Sequence, residues 1–187
     1  MLNSNITLIK NSKNNKLKKI LIISDTHGYI DDIILKYVKQ ADEVWHAGDI
    51  GKIKVLDQIE KLSQLKSVYG NIDNHLIRSS TCEINSFLCE KVKVSMIHIA
   101  GKPPYYNQIT KKLIEIEKPK ILIYGHSHIL KVKFDKKNDV LCINPGAAGR
   151  HGFHHKRTMV RFEINQSSIE NMEIIELGER SRSPESV

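Results

Sequence analysis

Asp25 and His27 have the residue types and the spacing of metal ligands. They follow the apolar run at residues 20–23, four consecutive Ile and Leu residues that are typical of a buried strand. In extended backbone, residues i and i+2 point to the same side, so both side chains can reach one point. A carboxylate oxygen and an imidazole nitrogen that converge there can bind a divalent transition metal. The pair alone is a weak signal, because a strand-end turn with a capping aspartate has the same sequence.

Four other predicted strand ends carry polar side chains of the same kind. The residues are Asp49 after Gly48, Asn71 after Gly70, His98 after Ile97, and the pair His126 and His128 after Gly125. Because ligands gather outside the carboxyl ends of strands in open α/β sheets, we expect the five strand ends to face one crevice. Two aspartates, one amide and four histidines exceed the needs of one tetrahedral ion, but they suit two ions that share a carboxylate. The sequence therefore predicts a dinuclear metal site.

The elements that must position these residues begin as alternating strands and helices. The pattern predicts strands over residues 20–25, 43–49 and 67–71, with helices over 31–38 and 52–65 between them. This βαβαβ order calls for a parallel sheet with right-handed crossovers. Residues 81–88 and 91–99 then predict an antiparallel hairpin, 106–117 a helix and 121–124 a strand, followed by strands at 130–134, 140–143, 158–164 and 172–177.

Length and composition predict one α/β domain. With 187 residues a single domain is expected, here over residues 19–178 between a polar basic leader at 1–18 and a polar tail at 179–187. No apolar run is long enough to span a membrane, and the N-terminus lacks the apolar segment of a secretory signal. Three cysteines without a Cys-x-x-Cys pair predict free thiols in a reducing compartment, the cytoplasm.

The net charge of +8 is concentrated near the N-terminus. Five lysines and no acidic residue lie within residues 1–19, which leaves +3 for the rest of the chain. A lysine-rich leader of this kind is more typical of a solvated tail than of a specific nucleic-acid arm. The mildly basic body suits a phosphate-bearing substrate. Nucleic acid thus stays open but is not favoured as a partner, and the sequence leaves open whether the chain forms a homo-oligomer.

The ordered motifs resemble the calcineurin-like metallophosphoesterases, and within them the compact phosphodiesterase branch of YfcE type. The motifs are Asp25-x-His27, Gly48-Asp49, Gly70-Asn71, His98 and Gly125-His126-x-His128. The resemblance implies a four-layer α/β/β/α sandwich of two mixed sheets flanked by helices. It also implies that Asp25, His27 and His128 hold a first metal, that Asn71, His98 and His126 hold a second, and that Asp49 bridges the two.

The reaction implied by this resemblance is hydrolysis of a small phosphodiester by a hydroxide shared between two ions. Two ions about 3.5–4 Å apart clamp the ester and lower the pKa of water. Asp49, Asn71 and His98 are expected to take part in catalysis, Asn71 because its neutral amide leaves the ions Lewis-acidic. The resemblance favours Mn²⁺, although nitrogen and oxygen ligands without thiolate also accept Ni, Fe, Co or Zn.

Two positions depart from the family pattern. Many relatives carry a histidine directly after Gly-Asn, where it assists the leaving group, but this chain has Ile72. We therefore expect good leaving groups to be favoured, and His75 nearby is expected to be a surface residue rather than a substitute acid. Gly101 follows His98 only after two intervening residues, where many relatives have glycine directly after the histidine.

Other candidate residues are expected to be structural. His46 lies inside a predicted strand, so it is expected to support the site rather than to bind metal. The segment over residues 144–157 combines an Asn-Pro-Gly turn, expected in the wall of the site, with a His/Arg/Lys cluster. A solvated basic loop is favoured there over a phosphate or nucleic-acid site. Trp45 and the Tyr105-Tyr106 pair are expected in the core or at its rim.

Two alternative functions stay open. The retromer subunit that the resemblance includes uses this sandwich as an interaction scaffold with a compromised metal site, whereas all seven ligand types are present here. A nuclease is the other alternative, because the leader and the loop over residues 144–157 are basic.

Overall fold

Two five-stranded sheets form the centre of the molecule. The computed structural model describes residues 17–180, so the predicted leader at 1–18 and tail at 179–187 lie largely outside the described residues. The strands are β1 (Lys18–Ile23), β2 (Glu43–His46), β3 (Gln64–Ser67), β4 (Ile84–Cys89), β5 (Val92–Ile97), β6 (Gly101–Lys102), β7 (Tyr105–Tyr106), β8 (Ile121–Ile123), β9 (Lys131–Asp135), β10 (Val140–Asn144), β11 (Lys156–Asn165) and β12 (Ser168–Glu179). The helices are α1 (Asp32–Val38), α2 (Ile53–Glu60), α3 (His75–Ser80) and α4 (Gln108–Glu117).

Both large sheets are mixed: the first has antiparallel strands at one edge only, and the second has an antiparallel strand at each edge. The first sheet has the order β12-β11-β1-β2-β3, in which β1, β2 and β3 are parallel. The second has the order β4-β5-β8-β10-β9, in which β5, β8 and β10 are parallel and β4 and β9 pair antiparallel at the edges. The predicted βαβαβ unit and the predicted hairpin are both confirmed.

The sheets pack face to face and are covered by helices on their outer faces, which gives four layers. Ile20 and Ile22 of β1 belong to the core between the two sheets, while Leu21 and Ile23 pack on the helix side. Because both faces of β1 are buried, its sequence is apolar without alternation. Trp45 lies wholly within the inter-sheet core, as predicted. The predicted α/β/β/α sandwich is confirmed.

The helix predicted over residues 52–65 is too long. Helix α2 ends at Glu60, and the chain turns to begin β3 at Gln64, three residues before the strand predicted at 67–71. The helical spacing of apolar residues extends past the end of α2, because Leu65 of β3 packs into the same core as Ile59 of α2. Helix α3 and the short β6–β7 hairpin were not predicted at all.

The three cysteines are free, as predicted. Within residues 17–180, no helix combines the length and the apolar character needed to cross a membrane.

Candidate metal centre

The loops that follow five strands meet at one end of the sandwich. Three of these loops leave β1, β2 and β3 of the first sheet, and two leave β5 and β8 of the second. The crevice is therefore built from the carboxyl ends of two packed sheets, not from one open sheet. Each sheet contributes part of the predicted ligand set.

Six of the seven predicted ligands form two groups. The first comprises Asp25, His27, Asp49 and His128, and the second comprises Asp49, His98 and His126. Within each group, the candidate ligand atoms lie within 4.8 Å of one another. The seventh residue, Asn71, lines two clefts, one together with His27 and Asp49 and the other together with His98. The structure thus brings together all the residues that the sequence singled out.

Asp49 lies between the two groups. Its Oδ2 is 3.7 Å from Nε2 of His27, and its Oδ1 is 3.2 Å from Nε2 of His98. In the first group, Nε2 of His128 lies 3.2 Å from Nε2 of His27 and 3.3 Å from Oδ1 of Asp25. One carboxylate oxygen of Asp49 therefore faces each group, which is the arrangement that a bridging ligand requires.

The ligand backbone is left-handed rather than extended. The φ angles are 52° at Asp25, 48° at His27, 51° at Asp49, 69° at His126 and 58° at His128. Each such residue costs about 1–2 kcal/mol relative to right-handed backbone, and such strain concentrates at functional sites. The prediction that Asp25 and His27 converge through extended i, i+2 geometry is therefore wrong, because β1 ends at Ile23 and the side chains converge from a tight turn.

Backbone hydrogen bonds hold this turn in place. The amides of Asp25 and His27 donate to the carbonyls of Gly48 and Asp49 over 3.0 Å each. These bonds join the loop after β1 to the loop after β2. The two loops thus form one unit, which offsets the strain.

Gly70 is required for close approach to Asp49. A Cβ at this position would lie 2.0 Å from Oδ1 of Asp49 and 2.3 Å from its backbone nitrogen. No side chain fits in that space. Only glycine at position 70 therefore lets the chain pass close enough to Asp49 to bring Asn71 to the cluster.

Asp73 is a supporting residue that the sequence did not reveal. Its buried carboxylate accepts hydrogen bonds from the amides of Ile50, Gly51 and Gly70 at 3.1, 2.7 and 2.8 Å. It therefore joins the residues directly after Asp49 to the residue directly before Asn71. The sequence Gly-Asn-Ile-Asp at residues 70–73 was the only feature that could have pointed to Asp73. An aspartate in a turn is too common to predict that role.

His46 supports the site from the core, as predicted. The Gly48 amide donates to its Nδ1 over 3.2 Å, so Nε2 carries the proton and donates to the Thr26 hydroxyl over 2.9 Å. Thr26 in turn donates to the carbonyl of Ile50. Complete burial lowers the pKa of His46 to about 4, which keeps the imidazole neutral in this chain of hydrogen bonds.

The segment over residues 144–157 contributes more than the solvated basic loop that was predicted. The buried Asn144 amide donates to the carbonyl of Gly125 over 2.8 Å and to the hydroxyl of Ser127 over 3.1 Å, which fixes the turn that carries His126 and His128. Arg157 is 1% exposed and pairs with Asp31 at 3.0 Å. The Asn-Pro-Gly turn lies beside the site as expected, and the basic cluster is partly structural.

Burial and charge affect the titration of the ligands in different directions. Burial lowers the pKa of His27 despite the nearby carboxylates, so this imidazole is neutral and available as a ligand. Burial also lowers the pKa of His98, but the carboxylates of Asp49 and Asp25 more than compensate, and the net shift is upward. Burial raises the pKa of Asp49, but His98, with the Ile72 amide and His27, more than compensates, and the net shift is downward. The upward shift at His98 means that a metal ion at its Nε2 competes with protonation of that nitrogen beside Asp49.

Two buried atoms in the cluster suit a metal ion. Oδ1 of Asp25 and Nε2 of His98 are buried without a hydrogen-bond partner among the described residues. Nδ1 of His98 lies 2.7 Å from the carbonyl of Ala47, which only accepts, so Nδ1 carries the proton and the Nε2 lone pair of the neutral ring faces Asp49. Two acceptors in contact call for a cation between them. The donor set of carboxylate, imidazole and amide fits divalent transition metals.

A sandwich of two mixed sheets with carboxylate and imidazole ligands at its strand ends defines a class of metal-dependent proteins. The sequence model described as "Calcineurin-like phosphoesterase superfamily domain" matches residues 19–167. The chain belongs to this superfamily, whose members typically bind divalent metals.

Three comparisons place the chain among known proteins. It is 29% identical over 133 residues to a probable metallophosphoesterase of Methanocaldococcus jannaschii, covering 67% of this chain and 66% of that protein. The fold is similar to a zinc complex of Vps29 from Entamoeba histolytica, with a TM-score of 0.66, 18% identity and coverage of 87% and 99%. It is also similar to an archaeal phosphodiesterase, with a TM-score of 0.65, 22% identity and coverage of 85% and 99%.

Proposed function

We propose that this protein is a metal-dependent phosphodiesterase that hydrolyses small phosphodiesters. The observation that carries the proposal is the position of Asp49, whose two carboxylate oxygens face two separate groups of ligands. Two divalent ions held there would neutralise the phosphoryl oxygens and lower the pKa of water, which are the two requirements of ester hydrolysis near neutral pH. Mn²⁺ is the ion we expect first, with Ni, Fe, Co and Zn as chemical alternatives.

The residues of the chain have distinct roles in this proposal. Asp25, His27 and His128 hold the first ion, and Asn71, His98 and His126 hold the second. Asp49 connects the two positions. Asn71, which lines both clefts, contributes a neutral oxygen, so it adds no negative charge where the anionic substrate must bind.

The shape of the surface supports a diester rather than a monoester. A cleft of about 550 Å³ contains His27, Asp49, His126 and His128, and a second of about 310 Å³ contains His98. Asn71 lines both clefts. We infer that each cleft can hold one organic substituent of a phosphorus atom bound at the cluster. A phosphate monoester would leave one cleft empty.

The leaving group is expected to depart without a proton from the position after Asn71. Ile72 occupies that position at the larger cleft and is 46% exposed. Its side chain has no proton to give, and its backbone amide donates to Oδ1 of Asp49 over 3.2 Å. His75 begins α3 and is exposed, and it lines neither of these two clefts. Aryl esters, which need no general acid, should therefore react faster than alkyl esters, by a factor of about 10²–10⁴.

The test is turnover of bis(p-nitrophenyl) phosphate by the purified protein with and without Mn²⁺. We expect metal-dependent release of p-nitrophenolate and little hydrolysis of an alkyl monoester such as glycerol phosphate. Asp49→Asn should abolish turnover, whereas Asp57→Asn, an exposed acid on α2, should leave it unchanged. Full turnover by Asp49→Asn with both ions bound would refute the mechanism.

An interaction scaffold of the same fold is the second candidate. The structural similarity to Vps29 motivates it, and the Vps29 of Entamoeba histolytica was itself crystallised with zinc. Metal content alone therefore cannot separate a scaffold from an enzyme. Turnover decides between them: a metal-loaded protein without activity on aryl diesters favours the scaffold.

The nuclease alternative is less well supported by the cleft. Among the described residues that line the larger cleft there is no lysine or arginine, although a polynucleotide needs cations along its backbone. Residues 1–16 of the lysine-rich leader lie outside the described residues, so their contribution needs a direct test. Removing residues 1–16 leaves β1 whole, and loss of oligonucleotide cleavage in that variant would favour a nuclease.

A further inference from the structure

Three large apolar side chains are exposed around the larger cleft. Ile72 is 46% exposed, Ile129 67% and Phe153 101%. A fully exposed phenylalanine contributes nothing to the core, and apolar groups clustered at a cleft indicate a binding surface. These three residues come from three different loops, after β3, after β8 and before β11. We refer to them as the apolar rim.

The charge of the larger cleft limits what the rim can hold. Its described side chains include one carboxylate, that of Asp49, and five imidazoles, but no lysine or arginine. A substituent that carried a further phosphate or carboxylate would have no permanent cation to pair with. An uncharged substituent would meet no such penalty, because apolar surface is available on several sides.

Aromatic rings are available for stacking in this cleft. The imidazole of His151 lies with its centroid 4.8 Å from that of His27, and both rings line the cleft together with Phe153. A flat aromatic group can contact ring faces and edges that an alkyl chain uses less well. The volume of about 550 Å³ is within the range of sites that hold small organic molecules.

We propose that the apolar rim binds an uncharged aromatic substituent of the phosphodiester, so that Ile72, Ile129 and Phe153 determine specificity. The inference rests on the proposed function, because it places the phosphorus atom at the metal cluster. The substrate class is then a phosphodiester with at least one aromatic arm. The rim residues are specificity-determining residues and take no part in the chemical step.

Binding of simple monoesters tests the proposal without turnover. Phenyl phosphate and methyl phosphate share the phosphate group and differ only in the arm, and both are titrated by calorimetry into the Mn²⁺-loaded protein. We expect phenyl phosphate to bind about tenfold more tightly than methyl phosphate. The double variant Ile129→Ala/Phe153→Ala should reduce that ratio to about twofold and leave the affinity for methyl phosphate unchanged.

The matched control is Ile116→Ala, which truncates an exposed isoleucine of α4 that does not line the cleft. It should preserve the tenfold ratio. Equal affinity for phenyl and methyl phosphate in the parent would overturn the proposal while leaving the phosphodiesterase function intact. Hexyl phosphate bound as tightly as phenyl phosphate would overturn the aromatic assignment, and absence of metal-dependent turnover of bis(p-nitrophenyl) phosphate would contradict the proposed function itself.

Discussion

Nδ1 of His154 lies 3.3 Å from Nδ1 of His128, so a histidine outside the predicted ligand set determines the tautomer of one inside it. Nε2 of His154 lies 3.1 Å from the carbonyl of Gly149, which only accepts, so Nε2 carries the proton and Nδ1 has a lone pair. Burial lowers the pKa of His154 and favours this neutral state. Nδ1 of His128 must then donate, which leaves the Nε2 lone pair free to face Asp25 and His27.

Replacing His154 should therefore weaken metal binding without disturbing the fold. For His154→Ala we expect the affinity for Mn²⁺, measured by calorimetric titration, to fall by about 10- to 100-fold. His154→Gln supplies an acceptor oxygen and should recover part of the loss. The control is His155→Ala, an exposed neighbour that should bind like the parent. An unchanged affinity in His154→Ala would remove His154 from this role.

Asp73 should be essential for stability as well as for the site. Asp73→Ala leaves three amides of the loops after β2 and β3 without the carboxylate that accepts their hydrogen bonds. A buried amide without an acceptor is costly, because it has also lost its hydrogen bonds to water. We expect the free energy of unfolding in urea to fall by about 2–4 kcal/mol. Asp57→Ala, at an exposed position on α2, should change it by no more than about 0.5 kcal/mol. A loss at Asp73 as small as that at Asp57 would show that the loops do not depend on the carboxylate.

Glu43 should make the stability of the protein depend on pH. This buried carboxylate accepts hydrogen bonds from Lys18, Lys66 and Trp45 at 2.6, 2.6 and 2.8 Å. Burial raises its pKa, but these donors more than compensate and hold the pKa below the ordinary value of 4.5. A lowered pKa means that the stabilisation is complete above the ordinary value and is lost as the pH falls through the lower folded value.

The measurement compares the parent with Glu43→Gln in urea at several pH values. At pH 7 the parent should be more stable by about 2 kcal/mol. The difference should shrink steadily below about pH 4.5 as the Glu43 carboxylate becomes protonated. A difference that is the same at pH 7 and pH 3 would mean that the charge of Glu43 contributes nothing.

Ile72→His should broaden the range of leaving groups. The substitution places an imidazole at the larger cleft, directly after Asn71, where it can donate a proton to a departing alkoxide. We expect hydrolysis of alkyl diesters to rise by about 10- to 100-fold, with little change for aryl diesters. Ile72→Gln, similar in size but without a titratable group, should give no gain. Equal gains for the histidine and glutamine variants would argue for altered binding instead of proton donation.

The sequence was sufficient to predict the layered fold and the residues that lie together at the strand ends. Buried strands such as β1 are recognisable because both faces are covered, and ligand residues such as Asp49 follow them directly. The route by which the ligands converge was not predictable. A left-handed φ at Asp25 or His128 depends on hydrogen bonds to other loops, such as that from Asp25 to Gly48, and no local pattern records them.

The supporting residues were missed for a related physical reason. Asp73 acts through three hydrogen bonds, and His154 acts through its contacts with His128 and Gly149. Their partners are distant in the chain or lie across a turn, so the spacing of these residues is not periodic. The end of α2 was misplaced because Leu65 faces the same core from a strand that Ile59 faces from a helix. Both kinds of error arise where tertiary contacts, rather than local preference, determine the structure.

The most direct test of the account is a crystal structure of the Mn²⁺-loaded protein with anomalous scattering measured at the manganese edge. We predict two anomalous peaks about 3.5–4 Å apart, one on each side of Asp49, with the first bound by Asp25, His27 and His128. The second peak should lie beside Asn71, His98 and His126. A single peak, or two peaks that do not share Asp49, would contradict the two-ion mechanism.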